Sequence, residues 1–227
     1  MTFSFETVGR ISSPYKEKFA IPRQPSLAPS VRSQVVLDKR FSLNSVQGLH
    51  EFSHIWLSFI FHQHLDTPMK EMIRPPRLGG NKKVGVFASR STFRPNPLGL
   101  SVVELLDIKQ AKGQVIIDVA GADLLDGTPI VDIKPYIAYV DAVKEADSGF
   151  ASEAPKSVEV SFSEEVAQTL KKAKDGAYIS TVIREVLSQD PRPAYQREEG
   201  REYGVKLFDY NVQWVVSNSG FLVTSVC

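Results

Sequence analysis

Four dense polar segments rich in proline and glycine hold most of the groups in this sequence that could do chemistry: 14–24, 74–80, 90–99 and 123–129. Proline fixes backbone shape, glycine lets a ligand approach the chain closely, and Arg and Asn supply oriented donors. Such segments read either as rigid turns or as the walls of a ligand site. A fifth stretch, His50-Glu51-Phe52-Ser53-His54, fits the H-E-x-x-H pattern of zinc hydrolases. That chemistry needs a helix, so that both imidazoles share a face and the glutamate activates a metal-bound water. Here the pattern runs into Ile55–Phe61, an aromatic, isoleucine-rich run that predicts a buried strand, and beyond His62 and His64 no further histidine follows. A metal is therefore not expected. The lone cysteine, Cys227, excludes an internal disulfide and a Cys-based zinc site. Neither G-x-G-x-x-G nor G-x-x-x-x-G-K-[ST] follows a strand, and no G-x-S-x-G occurs, which argues against a Rossmann site, a P-loop and a hydrolase elbow.

The elements that must position these segments are mainly strands at first. Val84–Ala88, Leu100–Leu106 and Gln114–Val119 are β-branched or aromatic runs bounded by turn formers, the last two joined through Lys109–Gly113 as a hairpin. Strands at this spacing without alternating helices predict an antiparallel sheet closed into a barrel or folded as a sandwich. An acidic, small-residue-rich stretch, 142–157, reads as a linker between a β-rich domain over 1–141 and a small α+β domain over 158–227. In the latter, Ser163 is placed to cap a helix ending near Lys171, Lys172 and Lys174. A second helix buries Ile179, Val182, Ile183, Val186 and Leu187 before Asp190-Pro191 stops it. Val205–Leu207, Val212–Val216 and Phe221–Val226 read as strands, the last two joined by Ser217-Asn218-Ser219-Gly220.

A formal net charge of +1 hides an internal asymmetry. Residues 10–40 carry seven basic and two acidic side chains, 72–103 six basic and none acidic, and 141–165 seven acidic against Lys144 and Lys156. The middle segment can form a local positive face toward nucleic acid, or simply a solvated loop. The longest apolar-rich run, Ile55–Phe61, is far short of the ~18–20 residues a membrane span needs, and the opening residues lack a signal-peptide pattern. A cytoplasmic protein is expected.

Taken together, the segments Ser13-Pro14-Tyr15-Lys16-Glu17-Lys18-Phe19, Pro22-Arg23-Gln24, Phe52-Ser53-His54, Phe61-His62-Gln63, Arg74-Pro75-Pro76-Arg77-Leu78-Gly79-Gly80, Gly85-Val86-Phe87-Ala88-Ser89-Arg90-Ser91, Arg94-Pro95-Asn96-Pro97-Leu98-Gly99, Asp126-Gly127-Thr128-Pro129 and Asp132-Ile133-Lys134-Pro135-Tyr136 strongly resemble the TrmO family, also called TsaA-like or YaeB-like. Ile183–Leu187 and Gln189–Tyr195 resemble the family's C-terminal domain. The resemblance implies an S-adenosylmethionine-dependent tRNA methyltransferase on a β-barrel, acting on N6 of threonylcarbamoyl-adenosine 3′ to the anticodon of a threonine tRNA, and forming a homodimer. It implies cofactor contacts from Pro22, Arg23, Gln24, His62, Gln63, Arg90, Leu100 and the run Asp123, Leu124, Leu125, Asp126.

The implied chemistry suits these residue types. Methyl transfer from a sulfonium needs alignment rather than a metal. Asp123 or Asp126 would hold the cation, and Arg23 or Arg90 would pair with the carboxylate. The ureido-type N6 is a poor neutral nucleophile, so an acceptor for its proton is expected, with Asp126, Asp132 and Tyr136 as candidates. Arg74, Arg77, Lys82 and Lys83 are the expected tRNA contacts, extended by Arg184, Arg192, Arg197 and Arg201. The competing reading is a non-catalytic barrel that binds RNA or a partner through its basic face.

Overall fold

In the computed structural model, residues 2–192, 198–217 and 219–227 are described. The chain divides into two compact units that are interleaved in sequence: Met1–Ser12, Gln34–Val119 and Gly127–Ala154 form one, and Ser13–Ser33, Ala120–Asp126 and Pro155–Cys227 the other. This differs from the linear division at 141 and 158, because 13–33 and 120–126 pack with the C-terminal elements.

The first unit contains β1 (Gly9–Ser12), β2 (Arg32–Leu37), β3 (His54–Ile60), β4 (Met72–Ile73), β5 (Val84–Gly85), β6 (Leu98–Ala111), β7 (Gln114–Ala120), β8 (Pro129–Pro135) and the single-turn α1 (Ala138–Asp141), with two strands trading end residues with the other unit. Six strands hydrogen-bond in the order β1-β2-β7-β6-β3-β8. The order returns on itself, because β1 also pairs with β8 through Gly9↔Ile130 and Arg10↔Pro129. Alternation dictates the two faces: Ile55, Leu57 and Phe59 of β3 are buried, whereas His54, Trp56, Ser58 and Ile60 are half-exposed on the other side. Gly99 opposes Phe59, and a Cβ there would stand 2.3 Å from the phenyl ring, so the ring lies against bare backbone.

The β6–β7 hairpin is tighter than expected. Its strands run through Lys109–Ala111, and only Lys112 and Gly113, both with positive φ (51° and 75°), form the turn. Two left-handed residues match the strand twist, which a five-residue loop would not require. The expected strand Val84–Ala88 also shortens, to β5 followed by a 3-10 turn over Val86–Ala88.

The second unit contains β9 (Val160–Phe162), α2 (Glu164–Lys172), α3 (Gly176–Ser188), β10 (Glu202–Leu207), β11 (Tyr210–Ser217) and β12 (Gly220–Val226). Its sheet order is β10-β11-β12-β9, antiparallel except for β9 against β12. The Ser163 side chain accepts from the Val166 N–H and caps α2, and Ile179, Val182, Ile183, Val186 and Leu187 form the buried face of α3. Trp214 is fully buried, with its ring stacked on Phe19 (6.0 Å) and Tyr203 (5.6 Å). The borrowed segments are tied in by backbone and side chains. Phe208 N–H donates to the Pro14 carbonyl (2.8 Å), Lys206 N–H to Glu17 (3.0 Å), and Ser30 gives both its N–H and its hydroxyl to Glu185. Asn218 of the expected Ser-Asn-Ser-Gly turn, and Pro193, Ala194, Tyr195 and Arg197, lie outside the described residues.

Candidate functional site

In the first unit, one outward face of β6, β3 and β8 gathers several of the expected residues. Ser58 pairs with Leu100 on one side and Asp132 on the other, so the three form a row with Leu100 and Asp132 about 10 Å apart, two strand spacings. Leu100 is 55 % exposed although it sits mid-strand, because it points away from the packed face. One register step on lies Val102–Trp56–Lys134, and beyond it Tyr136, whose ring meets Trp56 at 5.9 Å and His54 at 6.3 Å. Trp56 Nε1 donates to Asp141 (3.1 Å), and the same carboxylate receives the Ile137 N–H (2.8 Å), which fixes the start of α1. The Asp132 carboxylate accepts the Ile133 N–H (2.9 Å) and pairs with Lys134 (2.8 Å), raising the Lys134 ammonium above its ordinary range through that hydrogen bond. With 46 % of its side chain exposed, Asp132 lines a cleft of about 480 Å³ together with Phe41, Gly48, Glu51 and Phe52.

His62 and Gln63 occupy a 3-10 turn directly after β3, and Arg90 is exposed in the loop after β5 and its 3-10 turn. β4 and β5 pair as a short ribbon whose connecting loop carries Arg74, Arg77, Lys82 and Lys83. Arg77 donates to the Glu153 carbonyl, and the other three cations are exposed. The H-E-x-x-H stretch is split between structures: His50 and Glu51 end a 3-10 turn, whereas His54 opens β3 and lies 2.9 Å from the Ser53 hydroxyl. The helical face that zinc chemistry requires is missing. Among the described residues no group of three or more His, Cys, Asp or Glu converges to hold a metal.

The other expected residues belong to the second unit. Pro22 is buried, Arg23 exposed and Gln24 half-buried on segment 13–33; Leu124 is buried, with Asp123, Leu125 and Asp126 half-buried around it. Asp126 acts as a clasp. One carboxylate oxygen accepts the Ser13 N–H (2.9 Å), the other pairs with Lys16 (2.9 Å), and its own N–H donates to the Tyr15 carbonyl (2.9 Å). Lys16 also reaches the Ser13 carbonyl at 3.1 Å. Asp126 thus joins the two borrowed segments. Beside them Tyr15 is fully buried, and burial above all, then the charges of Asp123 and Glu185, pushes its phenol far above the ordinary tyrosine range.

Sequence reasoning missed the flanking residues Trp56 and Ser58, for which the alternation of β3 was an available signal. It also missed the Lys16–Asp126 pairing, for which no local signal exists because the partners are over a hundred residues apart.

The family model described as the tRNA-methyltransferase O N-terminal domain matches residues 10–142, and that of the TrmO C-terminal domain matches 155–227. The chain is 48 % identical over 227 residues to the tRNA (adenine(37)-N6)-methyltransferase of Escherichia coli K12, covering 98 % of this chain and 97 % of that one. It is 45 % identical over 221 residues to a Pseudomonas aeruginosa protein provisionally named S-adenosylmethionine-dependent methyltransferase RcsF, covering 94 % and 93 % of the two. Among solved structures, a crystal structure of TrmO from Pseudomonas aeruginosa superposes with a TM-score of 0.79 at 38 % identity, covering 100 % of this chain and 99 % of that one.

Proposed function

Because the chain belongs to the TrmO family, we propose that it transfers the methyl group of S-adenosylmethionine to N6 of adenosine 37 in tRNA, and that its substrate is the threonylcarbamoylated adenosine of a threonine tRNA. The single observation that carries the activity is the near-complete, 48 % identical match to a tRNA (adenine(37)-N6)-methyltransferase. The threonine tRNA and the threonylcarbamoyl group are the finer part of the proposal. They rest on the family resemblance and on the poor nucleophilicity of a ureido nitrogen, which calls for the exposed carboxylate of Asp132.

By type and exposure, the residues implied by the family resemblance suit the cofactor. Arg23 and Arg90 are exposed guanidiniums suited to a carboxylate, Asp123 is a half-buried carboxylate suited to a cation, and Leu100 is an outward apolar side chain suited to an adenine face. His62, Gln63, Gln24 and the backbone around Pro22, Leu124 and Leu125 complete the proposed donor set. When bound, the cofactor supplies an electrophilic methyl on a sulfonium.

Of the three candidate proton acceptors, we assign the role to Asp132. Asp132, which lines a cleft, would take up the proton that N6 loses on methylation. Asp126 is a positioning residue, since its bonds to Ser13 and Lys16 tie together segments more than a hundred residues apart, whereas the Asp132 oxygens are bonded only to its sequence neighbours Ile133 and Lys134. Tyr136, tilted against Trp56 and His54, is proposed to shape the face beside Asp132. Arg74, Lys82 and Lys83, with Arg77, are proposed to contact phosphates.

We further propose that the six-stranded unit is a barrel, supported by its self-returning strand order, and that 1–141 and 158–227 are the sequence modules flanking a linker, supported by the family matches. A homodimer is supported by the exposed Leu98, Leu100 and Tyr139, the last 90 % exposed. A cytoplasmic location follows from the tRNA substrate; among the described residues no helix is long and apolar enough to cross a membrane.

Radiolabelled methyl transfer to purified tRNAs tests the reading. Incorporation into threonine tRNA that carries the threonylcarbamoyl group, and little into the same tRNA without it, is expected. Equal incorporation into both overturns the substrate assignment, and none into any tRNA overturns the activity.

A further inference from the structure

Phe87 is 78 % exposed, more than any other phenylalanine among the described residues, and nothing in its neighbourhood uses it as core. Its exposure is not slackness in the chain. The residue before it, Val86, is buried and donates its N–H to the Glu71 carbonyl (2.9 Å). The Val86 carbonyl in turn receives the Ser89 hydroxyl (2.8 Å), and Arg94 donates to the Ser89 carbonyl at 2.6 Å. A pinned 3-10 turn therefore holds an aromatic ring out in water.

A cation stands against the ring, and others lie close to it in sequence. The Arg94 guanidinium lies 5.9 Å from the ring centre, and Lys70 sits 4.0 Å over the neighbouring Phe93 ring. Phe87 follows β5 directly, at the base of the ribbon whose loop carries Arg74, Lys82 and Lys83. The segment 72–103 contains no acid. An aromatic face amid phosphate-seeking cations is the arrangement that receives unpaired nucleotides, the ring taking the base and the cations the backbone. A purely apolar partner would give the exposed ribbon cations Arg74, Lys82 and Lys83 no role.

We propose that Phe87 is a base-stacking residue that takes an unpaired base of the RNA substrate. The proposal rests on the tRNA reading above and adds to it a contact made by a π-face instead of a charge. The ring supplies affinity that salt does not screen, and the ribbon cations supply affinity that salt does screen.

The test is binding of an anticodon stem-loop RNA to the full-length protein at several salt concentrations, with S-adenosylmethionine binding followed separately by calorimetry. Phe87→Ala is expected to weaken RNA binding roughly ten-fold, within the range for losing one base stack. Its salt slope and cofactor affinity should remain those of wild type. Phe87→Trp should keep full affinity, and Phe87→Leu, apolar but without a π-face, should be as weak as the alanine variant. Lys82→Ala/Lys83→Ala should instead flatten the salt slope by about one to two. Undiminished RNA binding by Phe87→Ala or Phe87→Leu overturns the proposal and leaves the tRNA reading standing. So does a changed sedimenting mass in Phe87→Ala, which would assign the ring to contact between copies of the chain. Wild-type protein that binds the cofactor but neither binds nor methylates RNA overturns both.

Discussion

The segment 120–126 and the strand β8 that follows it each carry a carboxylate expected to do chemistry, and the fold treats the two in opposite ways. Asp126 is spent on structure: a backbone N–H and a lysine occupy both its oxygens and tie residues 13–16 to 120–126. Asp132 is held by its neighbours in sequence, Ile133 and Lys134, and still faces a cleft. Residue type alone made them equivalent candidates. The difference lies in partners distant in sequence: a carboxylate bonded across the chain positions loops, whereas one bonded only locally keeps a side open to a substrate.

Substituting Asp132 gives the largest expected break in that contrast. Asp132→Asn keeps the shape and the Ile133 hydrogen bond but removes the proton acceptor, and kcat should fall by about 10²–10⁴ with little change in unfolding midpoint. A kcat within a few-fold of wild type in single-turnover methyl transfer would show that the proton leaves elsewhere. Asp126→Ala should behave in the reverse sense. It leaves the Ser13 N–H without its acceptor and Lys16 with only the Ser13 carbonyl at a half-exposed site, costing about 1–2 kcal/mol in urea unfolding, and it should raise the KM for S-adenosylmethionine more than it lowers kcat. A kcat-only effect would return Asp126 to the catalytic group.

The smallest expected effect sharpens the comparison from the buried side. The fold holds the Tyr15 phenol protonated, so Tyr15 contributes its full stability below the unfolded tyrosine value near ~10, and that contribution is lost as pH rises above it. Tyr15→Phe removes this dependence. The stability difference between wild type and variant should be small at pH 7, where the hydroxyl has no partner to lose, and should move in favour of the variant above pH 10 in urea titrations. Parallel curves through that range would place the phenol in contact with water.

What the sequence made legible was local. The Ser163 cap and the spacing of Ile179, Val182, Ile183, Val186 and Leu187 each depend on residues a few positions apart, and both appear in the structure as read, whereas the run read as a buried strand, Ile55–Phe61, forms a strand with only one face buried. The H-E-x-x-H pattern runs into a strand, as the apolar run after it indicated. Illegible were β9, three residues whose pairing with β12 is parallel and about sixty residues distant, and the attachment of 13–33 to the C-terminal elements. Those depend on pairings across the chain that no local period encodes. The Lys112-Gly113 turn was misjudged for a different reason: Lys112 takes a left-handed conformation that its side chain does not advertise.

Interleaving also sets a schedule for synthesis. Tyr15, Ala28 and Val31 belong to a core completed only by β11 and β12, so they leave the ribosome nearly two hundred residues ahead of the strands that cover them. At ~5–20 residues per second that interval is roughly ten to forty seconds, during which an apolar segment has no permanent shelter. The sequence of that segment, with Lys16, Lys18 and Arg23 among its apolar residues and four prolines between 14 and 29, keeps it charged and unable to extend into a long strand while it waits.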